Sequence, residues 1–415
     1  MGRVILHMDA NSFYASVECL YRPALRDKPV SVCGDPEARH GIVLTSNQHA
    51  KRRGIKTGMA IWQARQLCPD LVAVPPDYAL YLHFSRMIRD ICCGYSDRVE
   101  SFGLDECWVD VSSPEADMTS GEALAHTLRT RVKQELGITV SVGVSDNKIF
   151  AKLGSDMKKP DAVTVIPPDG FREKIWHLPA GALLYVGPRT GRKLHDLGIC
   201  TIGDLARAPT EVLQARLGKN GLLLQLFANG LDAAPVMPTT AESAIKSIGN
   251  STTTPRDIAT IEDARCVFYL LAESVGARLR ENGFRSRCVS ISVRTTELRS
   301  YSCQTTLSVP TCITSEIAAL ACSLFEGRYA NLLPLRSVGI SCGMLSPDSS
   351  PIQLDMLGDQ AKRERLERMD SALDGIRSRF GHQVIQRGVV LADSAFAQIS
   401  PKDDHTIHPV PFFAG

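Results

Sequence analysis

The stretch SFGLDECWVDVS, Ser101 to Ser112, sets two adjacent carboxylates, Asp105 and Glu106, inside an apolar run. Phe102, Leu104, Cys107, Trp108, Val109 and Val111 mark it as a buried strand or strand pair. Neighbouring side chains of one extended strand point to opposite faces, so both carboxylates serve one site only at a bend or tight hairpin. Two readings stand at this point. Either the pair is an exposed turn, or it faces a cation that offsets the mutual repulsion of carboxylates. A third carboxylate, Asp9, closes the apolar strand RVILHMD. Two Mg²⁺ ions about 4 Å apart, held by such a set, can activate an attacking hydroxyl and stabilise a leaving phosphate.

Working outward, the apolar spacing predicts β-α-β-β-α-β with inserted material, hence an antiparallel or mixed sheet backed by helices. NSFYASVECLY has helical spacing, with Phe13, Val17 and Leu20 on one face. KPVSVCG and GIVLTSN read as strands, HAKRRG and AIWQARQLC as helices, and DYALYLHFSRMIRDICCGYS as a longer amphipathic helix. GEALAHTLRTRVKQELG is a helix closed by Gly137, and ITVSVGVS is a strand. Tyr185 to Pro209 reads as a helix, a glycine hairpin and a helix, with a looser second copy in RLGKNGLLLQLFANGLD. AAPVMPTTAES, 233–243, has linker composition. A second α+β region then runs to about Ser346: a helix from IEDARCVFYLLAESVGARLRENG, strands RCVSISVRT and SYSCQTTLSV, a helix near 314–328 and the strand LRSVGISCGML. A charged helix over Ala361–Phe380 reads as a solvated surface.

The chain has 415 residues, which points to about two to four domains. Its 44% hydrophobic and 22% charged residues are those of a soluble globular protein. A net charge of +2 argues against a purely electrostatic nucleic-acid binder. The 13 cysteines contain no C-x-x-C pair, which argues against zinc and for free thiols in a reducing compartment. No apolar run reaches the roughly 18–20 residues of a membrane span. MGRVILHMDA is too short in its apolar core for a signal peptide and lacks the myristoylation Ser or Thr. A cytoplasmic protein is expected.

DANSFYASVE (Asp9–Glu18), FGLDECWVDVS, SVGVSDNKIFAKLGSDMKKPDA (Ser141–Ala162) and the helix–hairpin–helix occur in that order. Together, over nearly the whole chain, they resemble the Y-family, or lesion-bypass, DNA polymerases, the bacterial DinB and UmuC group. DANSFYAS leans toward UmuC and GLDE toward neither, so the subgroup stays open. The resemblance implies an α+β, multidomain fold: a ferredoxin-like palm (1–18 and 79–167), small fingers (19–78), a helical thumb (168–232), a linker (233–243), an α+β little finger (244–347) and a C-terminal tail (348–415). It implies a template-directed, low-fidelity DNA polymerase that extends primer–template DNA with deoxynucleoside triphosphates during damage tolerance and repair, as a monomer.

What the resemblance implies for single residues is as follows. Asp9, Asp105 and Glu106 hold two Mg²⁺ ions, with Mn²⁺ as a substitute, and the Ala10 carbonyl is a main-chain ligand. Phe13 and Tyr14 match an aromatic pair in which Tyr14 is the steric gate against ribose, while Phe13 reads more readily as helix core. TSNQHAKRRG matches a fingers segment T-x-N-Y-x-A-R: Thr45 and Asn47 agree, while Gln48 and Lys51 replace Tyr and Arg. Lys51 lacks the bidentate fork of Arg, which loosens phosphate orientation. Lys159 matches a triphosphate lysine. Gly103 departs from the commoner SIDE or SLDE, which predicts altered local packing without loss of metal binding.

Gly187 in VGPRTGRKL, and Gly218 and Lys219 in the second copy, are candidate DNA-phosphate contacts that read backbone and no bases. In the little finger Lys246, Arg256, Arg278, Arg280, Arg285, Arg287, Arg294 and Arg299 concentrate positive charge. QLDML, with Gln353, Leu354, Met356 and Leu357, resembles the peptide that bacterial polymerases insert into the sliding clamp. Two other classes compete. A catalytically inactive, clamp-bound relative would lack part of the carboxylate set. A palm-type nucleotide cyclase would have no place for the helical hairpins or the C-terminal region.

Overall fold

The computed structural model describes residues 2–35, 41–241, 245–351, 360–392, 394–397 and 399. These fall into two compact units, one within residues 2–33 and 43–241 and the other within 245–399. In chain order the first unit holds β1 (Ile5–Ala10), α1 (Phe13–Tyr21), β2 (Val30–Cys33), β3 (Val43–Ser46), α2 (Gln48–Arg52), α3 (Ile61–Leu67), β4 (Val72–Val74) and α4 (Tyr78–Cys93). The hairpin of β5 (Val99–Ser101) and β6 (Glu106–Asp110) follows, then α5 (Met118–Leu136), β7 (Val140–Ser145), α6 (Lys148–Met157) and β8 (Val163–Ile166). Helices α7 (Phe171–Ile175), α8 (Pro188–His195), α9 (Ile202–Arg207), α10 (Thr210–Leu217) and α11 (Lys219–Ala228) complete it.

Five strands form one sheet in the order β5-β6-β1-β7-β8. The central strand, β1, is buried at every position, as its unbroken apolar run requires. It runs antiparallel to β6 and β7, and β8 adds in parallel to β7. Helix α6 lies on the face that carries His7 and Trp108: Ser155 meets His7, and the Trp108 indole donates to the Lys148 carbonyl. Its backbone rests directly on β7 at Gly143. A Cβ there would stand 1.9 Å from the Ala151 carbonyl oxygen, so no other residue fits. Helix α6 lies inside a motif that periodicity alone did not divide, and the short strands β4 and β8 were also not separated.

A second sheet, β3-β2-β4, closes over Cys33, Val43, Ala50, Ile55, Ile61, Ala64, Cys68 and Leu71. The expected linker is laid on the first sheet, at least to Thr239. Val236 is buried beside Ile5, Trp108 and Ala151. The Met237 amide donates to Glu100 at 2.9 Å and the Thr239 amide to the Asp97 carbonyl at 2.9 Å. Proline, alanine and threonine composition does not distinguish a free tether from an extended strap whose polar groups find partners.

The second unit contains β9 (Ser247–Ile258), α12 (Ile261–Glu281), β10 (Phe284–Thr295), β11 (Ser300–Thr311), α13 (Thr314–Arg328), β12 (Leu335–Pro347), α14 (Gln360–Phe380) and α15 (Ser394–Ala397). Its sheet is antiparallel, in the order β11-β10-β12-β9. β9 escaped the sequence reading because SIGNSTTTPRDI is polar and contains Pro255. An edge strand tolerates both, since half its backbone faces outward.

The charged helix α14 is not simply solvated. Asp370 is 2% exposed and accepts from Arg387 at 2.8 Å and from the Thr314 amide, at the start of α13, at 2.8 Å. Arg280 lies 3.5 Å from Asp370 and donates to Asp374 at 2.6 Å, and Arg285 pairs with Glu367. Buried Glu273 holds Arg377 at 3.0 Å and Arg387 at 3.1 Å. Val390 and Phe396, from the tail that showed no pattern, complete the core of this unit. Arg280 and Arg285 therefore bind carboxylates of their own chain. Arg256 pairs with Asp263, and Arg278 donates to the Gly249 carbonyl. The positive charge expected to serve DNA is in part internal structure.

Removing one partner of a buried ion network leaves its neighbours unpaired, which costs about 3–5 kcal/mol. Asp370→Ala is expected to lower the stability of the second unit by that amount in urea unfolding. A loss below about 1 kcal/mol would mean that α14 does not hold the unit together.

Candidate metal and nucleotide site

Strand pairing brings the carboxylates together. In the β1–β6 register Asp9 stands directly opposite Glu106, two residues along from the pair His7–Trp108. Directly opposed residues share a face, so Asp9, Glu106, His7 and Trp108 all point toward α6. Asp105 is the last residue of the turn between β5 and β6, and its carbonyl accepts from the Ala10 amide at 2.9 Å. The bend that adjacent carboxylates require is this hairpin turn. Gly103 makes it with φ +79, a conformation that L side chains rarely adopt, and the Asp105 Oδ1 atom would lie 3.6 Å from a Cβ placed there. At this position, where SIDE and SLDE carry a serine, the backbone takes a conformation that favours glycine.

Helix α6 supplies the counter-charge. The Lys152 Nζ lies 2.8 Å from Glu106, 3.3 Å from Asp9 and 3.1 Å from Asp156. The Lys159 Nζ lies 2.7 Å from Asp9 and 2.8 Å from Asp156. Burial and the charges of Asp9 and Glu106 push the Asp105 carboxyl from 3.8 up to about 6. Burial also raises Asp9, against the pull of the Lys159 ammonium. Burial would raise Glu106 too, but His7 and Lys152 outweigh it and hold that carboxyl at about 2. Burial lowers His7, which favours the neutral imidazole.

Among the described residues no three His, Cys, Asp or Glu side chains stand so placed as to hold a metal ion by themselves. Open carboxylates of this kind fit Mg²⁺, which keeps waters and substrate phosphates in its shell and seldom uses an all-protein cage. The buried Glu106 Oε2 atom lies 2.8 Å from the Lys152 Nζ and 3.1 Å from the His7 Nε2, so its partner oxygen is the one left to a cation.

The nucleotide residues gather unevenly around this cluster. Tyr14 stacks on Tyr81 with ring centroids 4.2 Å apart, and Tyr78 meets it edge-on at 6.1 Å. Burial and the nearby Asp105 charge raise its phenol to about 12, so the ring stands close to the carboxylates. Phe13 is buried helix core and is not placed to touch a ligand. Lys51 donates to the Ser12 hydroxyl at 2.8 Å and lies within the fields of Lys159 and Asp9, the first helping burial to lower its ammonium and the second opposing it. Thr45 lies on β3 and Gln48 in the first turn of α2, and among the described residues neither hydrogen-bonds to the carboxylates. Gly187 caps the N-terminus of α8 and Gly218 that of α11, where Lys219 is the first residue. Neither glycine has a side-chain cap, and a Cβ on either would meet open space, so helix-end amides are accessible at both. The turn joining α8 to α9 is at Gly198, so Gly187 precedes the hairpin and does not form it. Gln353, Leu354, Met356 and Leu357 lie outside the described residues.

Two site residues escaped the sequence reading. His7 precedes Asp9 by two positions and therefore shares its strand face. Lys152, with Ser155 and Asp156, lies at i, i+3 and i+4 on α6, the signature of one helix face. Both signals need the element boundaries before they can be used.

The chain matches a family model described as the impB/mucB/samB family over residues 8–156, and the C-terminal domain of that family over 245–356. It is 50% identical over 399 residues to the DNA polymerase IV of Acetivibrio thermocellus, covering 96% of this chain and 100% of that protein. It is 37% identical over 393 residues to the DNA polymerase IV 1 of Bacillus subtilis, covering 94% of each. A solved Y-family DNA polymerase chimera superposes with a TM-score of 0.73 at 24% identity, over 82% of this chain and 98% of that one, a likeness of fold. These relatives place the chain on the DinB side, against the lean of DANSFYAS toward UmuC.

A folded-state pKa raised above the unfolded value means that the folded chain holds the proton more tightly. For Asp105 this stability is present below about pH 4 and is lost as pH rises through about 6. Without divalent metal, Asp105→Asn is therefore expected to melt above wild type at pH 7.5, by on the order of 1–3 kcal/mol, and equal to it below pH 4. A pH-independent difference in melts with EDTA would refute this electrostatic account.

Proposed function

The chain belongs to the impB/mucB/samB family of Y-family DNA polymerases, and from that premise we propose that Asp9, Asp105 and Glu106 carry its two-metal nucleotidyl transfer. The protein is a DNA-directed DNA polymerase of the translesion type. The observation that carries the site assignment is the register of β1 and β6, with Asp9 opposite Glu106 and Asp105 in the adjoining turn. An inactive, clamp-bound relative is disfavoured by a carboxylate set that is whole and gathered.

The primer 3′-hydroxyl attacks the α-phosphate of the incoming deoxynucleotide, and pyrophosphate leaves. Divalent cations, Mg²⁺ or Mn²⁺, would supply activation of the hydroxyl and stabilisation of the phosphate charge. The three carboxylates and the Ala10 carbonyl would hold the cations. Lys159 and Lys51 offset triphosphate charge, and Gln48 and Thr45 offer donors. Lysine is a point charge, so orientation rests on several such contacts at once. The Tyr14 ring, fixed by Tyr81 and Tyr78, excludes a ribose 2′-hydroxyl.

The helix ends at Gly187 and at Gly218–Lys219 take DNA phosphates. The sheet of the second unit offers DNA a small, polar face through Ser251, Ser290, Ser292, Gly339 and Ser341. The segment 353–357 engages a sliding clamp. All 13 cysteines are free thiols, which fits a monomeric enzyme working on DNA in a reducing cytoplasm.

Primer extension tests the reading. Wild-type protein with Mg²⁺ is expected to extend a primer in a template-directed way, and Asp105→Ala is expected to abolish extension. Absence of wild-type extension overturns the activity; survival in Asp105→Ala overturns the site. Tyr14→Ala is expected to raise ribonucleotide incorporation relative to deoxynucleotide. Unchanged sugar selectivity would remove Tyr14 from the gate.

A further inference from the structure

His7 is fully buried on the central strand, yet its imidazole is not surrounded by apolar groups alone. On one side its Nδ1 lies 2.8 Å from the Ser155 hydroxyl of α6. On the other its Nε2 lies 3.1 Å from the Glu106 Oε2. The ring is braced edge-on by Trp108, with centroids 5.1 Å apart. That Nε2 approach is not aligned as a hydrogen bond, which leaves the buried Nε2 without a partner, while the Glu106 Oε2 it faces also lies 2.8 Å from the Lys152 Nζ. A buried histidine that served only packing would not direct an unpaired nitrogen at a carboxylate. Leaving Nε2 unpaired in a dry site is costly, and a small turn of either group makes the bond.

We propose that His7 is a positioning residue that holds one oxygen of Glu106 so that the carboxylate presents its other oxygen to the divalent cation. The inference rests on the assignment of Glu106 as a metal ligand. Strand register makes His7 suited to this task. His7 and Asp9 are two residues apart on one strand face, opposite Trp108 and Glu106, so one rigid ladder sets both carboxylates and the imidazole between them. Ser155 fixes the ring from the far side. The single Ser155 hydroxyl proton has two acceptors in reach, the Lys152 carbonyl at 2.8 Å and the imidazole Nδ1 at 2.8 Å. Donated to Nδ1, it leaves the proton of the neutral ring on Nε2, where it is available to Glu106. Outer groups of this kind orient ligating carboxylates and raise the affinity of a site without touching the metal.

The test uses full-length protein with primer–template DNA and Mn²⁺ as probe, titrated by electron paramagnetic resonance without nucleotide, and by Mg²⁺-dependent single-nucleotide incorporation. His7→Ala is expected to weaken Mn²⁺ binding about tenfold and to raise the half-saturating Mg²⁺ similarly. DNA affinity should stay at the wild-type value. His7→Gln, whose amide can donate to Glu106, should recover most of both losses while sharing any packing defect. Ser155→Ala should give a smaller weakening with the same signature. Mn²⁺ binding unchanged in His7→Ala overturns the proposal. So does equal weakening in His7→Ala and His7→Gln, which would make the residue a matter of packing. Glu106→Ala separates this from the site assignment: if it binds Mn²⁺ as wild type does, the assignment of Glu106 fails, whatever His7 does.

Discussion

The structure turns on the pairing of Asp9 with Glu106 across β1 and β6. Two carboxylates held side by side on a buried sheet face repel, and burial makes each harder to ionise. The fold supplies Lys152 and Lys159 from α6 and the segment after it, and it leaves the cluster open to further cations. Around this point the arrangement is rigid. β1 is the central strand, α6 rests on Gly143 with no side chain between, and the Ala10 amide ties the hairpin turn to the strand end. Stability is given up locally to hold these charges together, as the proposed metal and triphosphate site requires.

The second unit resolves charge in the opposite way. Asp370 and Glu273 are as buried as Asp9, but each meets arginines, and Asp370 also caps the first turn of α13. Here the charges are satisfied internally and join α14 to the sheet-and-helix core. The consequence for function is a smaller set of arginines for nucleic acid than composition suggests. Arg280 and Arg285 are committed to carboxylates, whereas Lys246, Arg287 and Arg294 have no carboxylate partner among the described residues.

Much of the fold was legible because apolar runs have a period. The central strand, the long helices and the hairpin around GLDE were read from spacing, and the candidate metal carboxylates from their place within the sequence motifs. What escaped was polar or short. β9 has the composition of a loop and is a strand because β12 offers it an edge. The strap at 235–239 has the composition of a tether and is fixed because Glu100 and Asp97 lie beneath it. The face of α14 toward the core is marked by Asp370, an aspartate that hydropathy assigns to solvent.

By itself, the sequence determined which chemistry is available: three carboxylates, lysines and an aromatic pair, in an order that marks a polymerase. Their residue types and spacing along the chain suffice for that, because motif order survives without coordinates. Only the tertiary structure decided which groups act together. Whether Phe13 is core and Tyr14 exposed to the site, whether Arg280 meets DNA or Asp374, and whether His7 is packing or a brace for Glu106 depends on register and helix docking. Those are set by contacts between residues far apart in the chain, which no local pattern records.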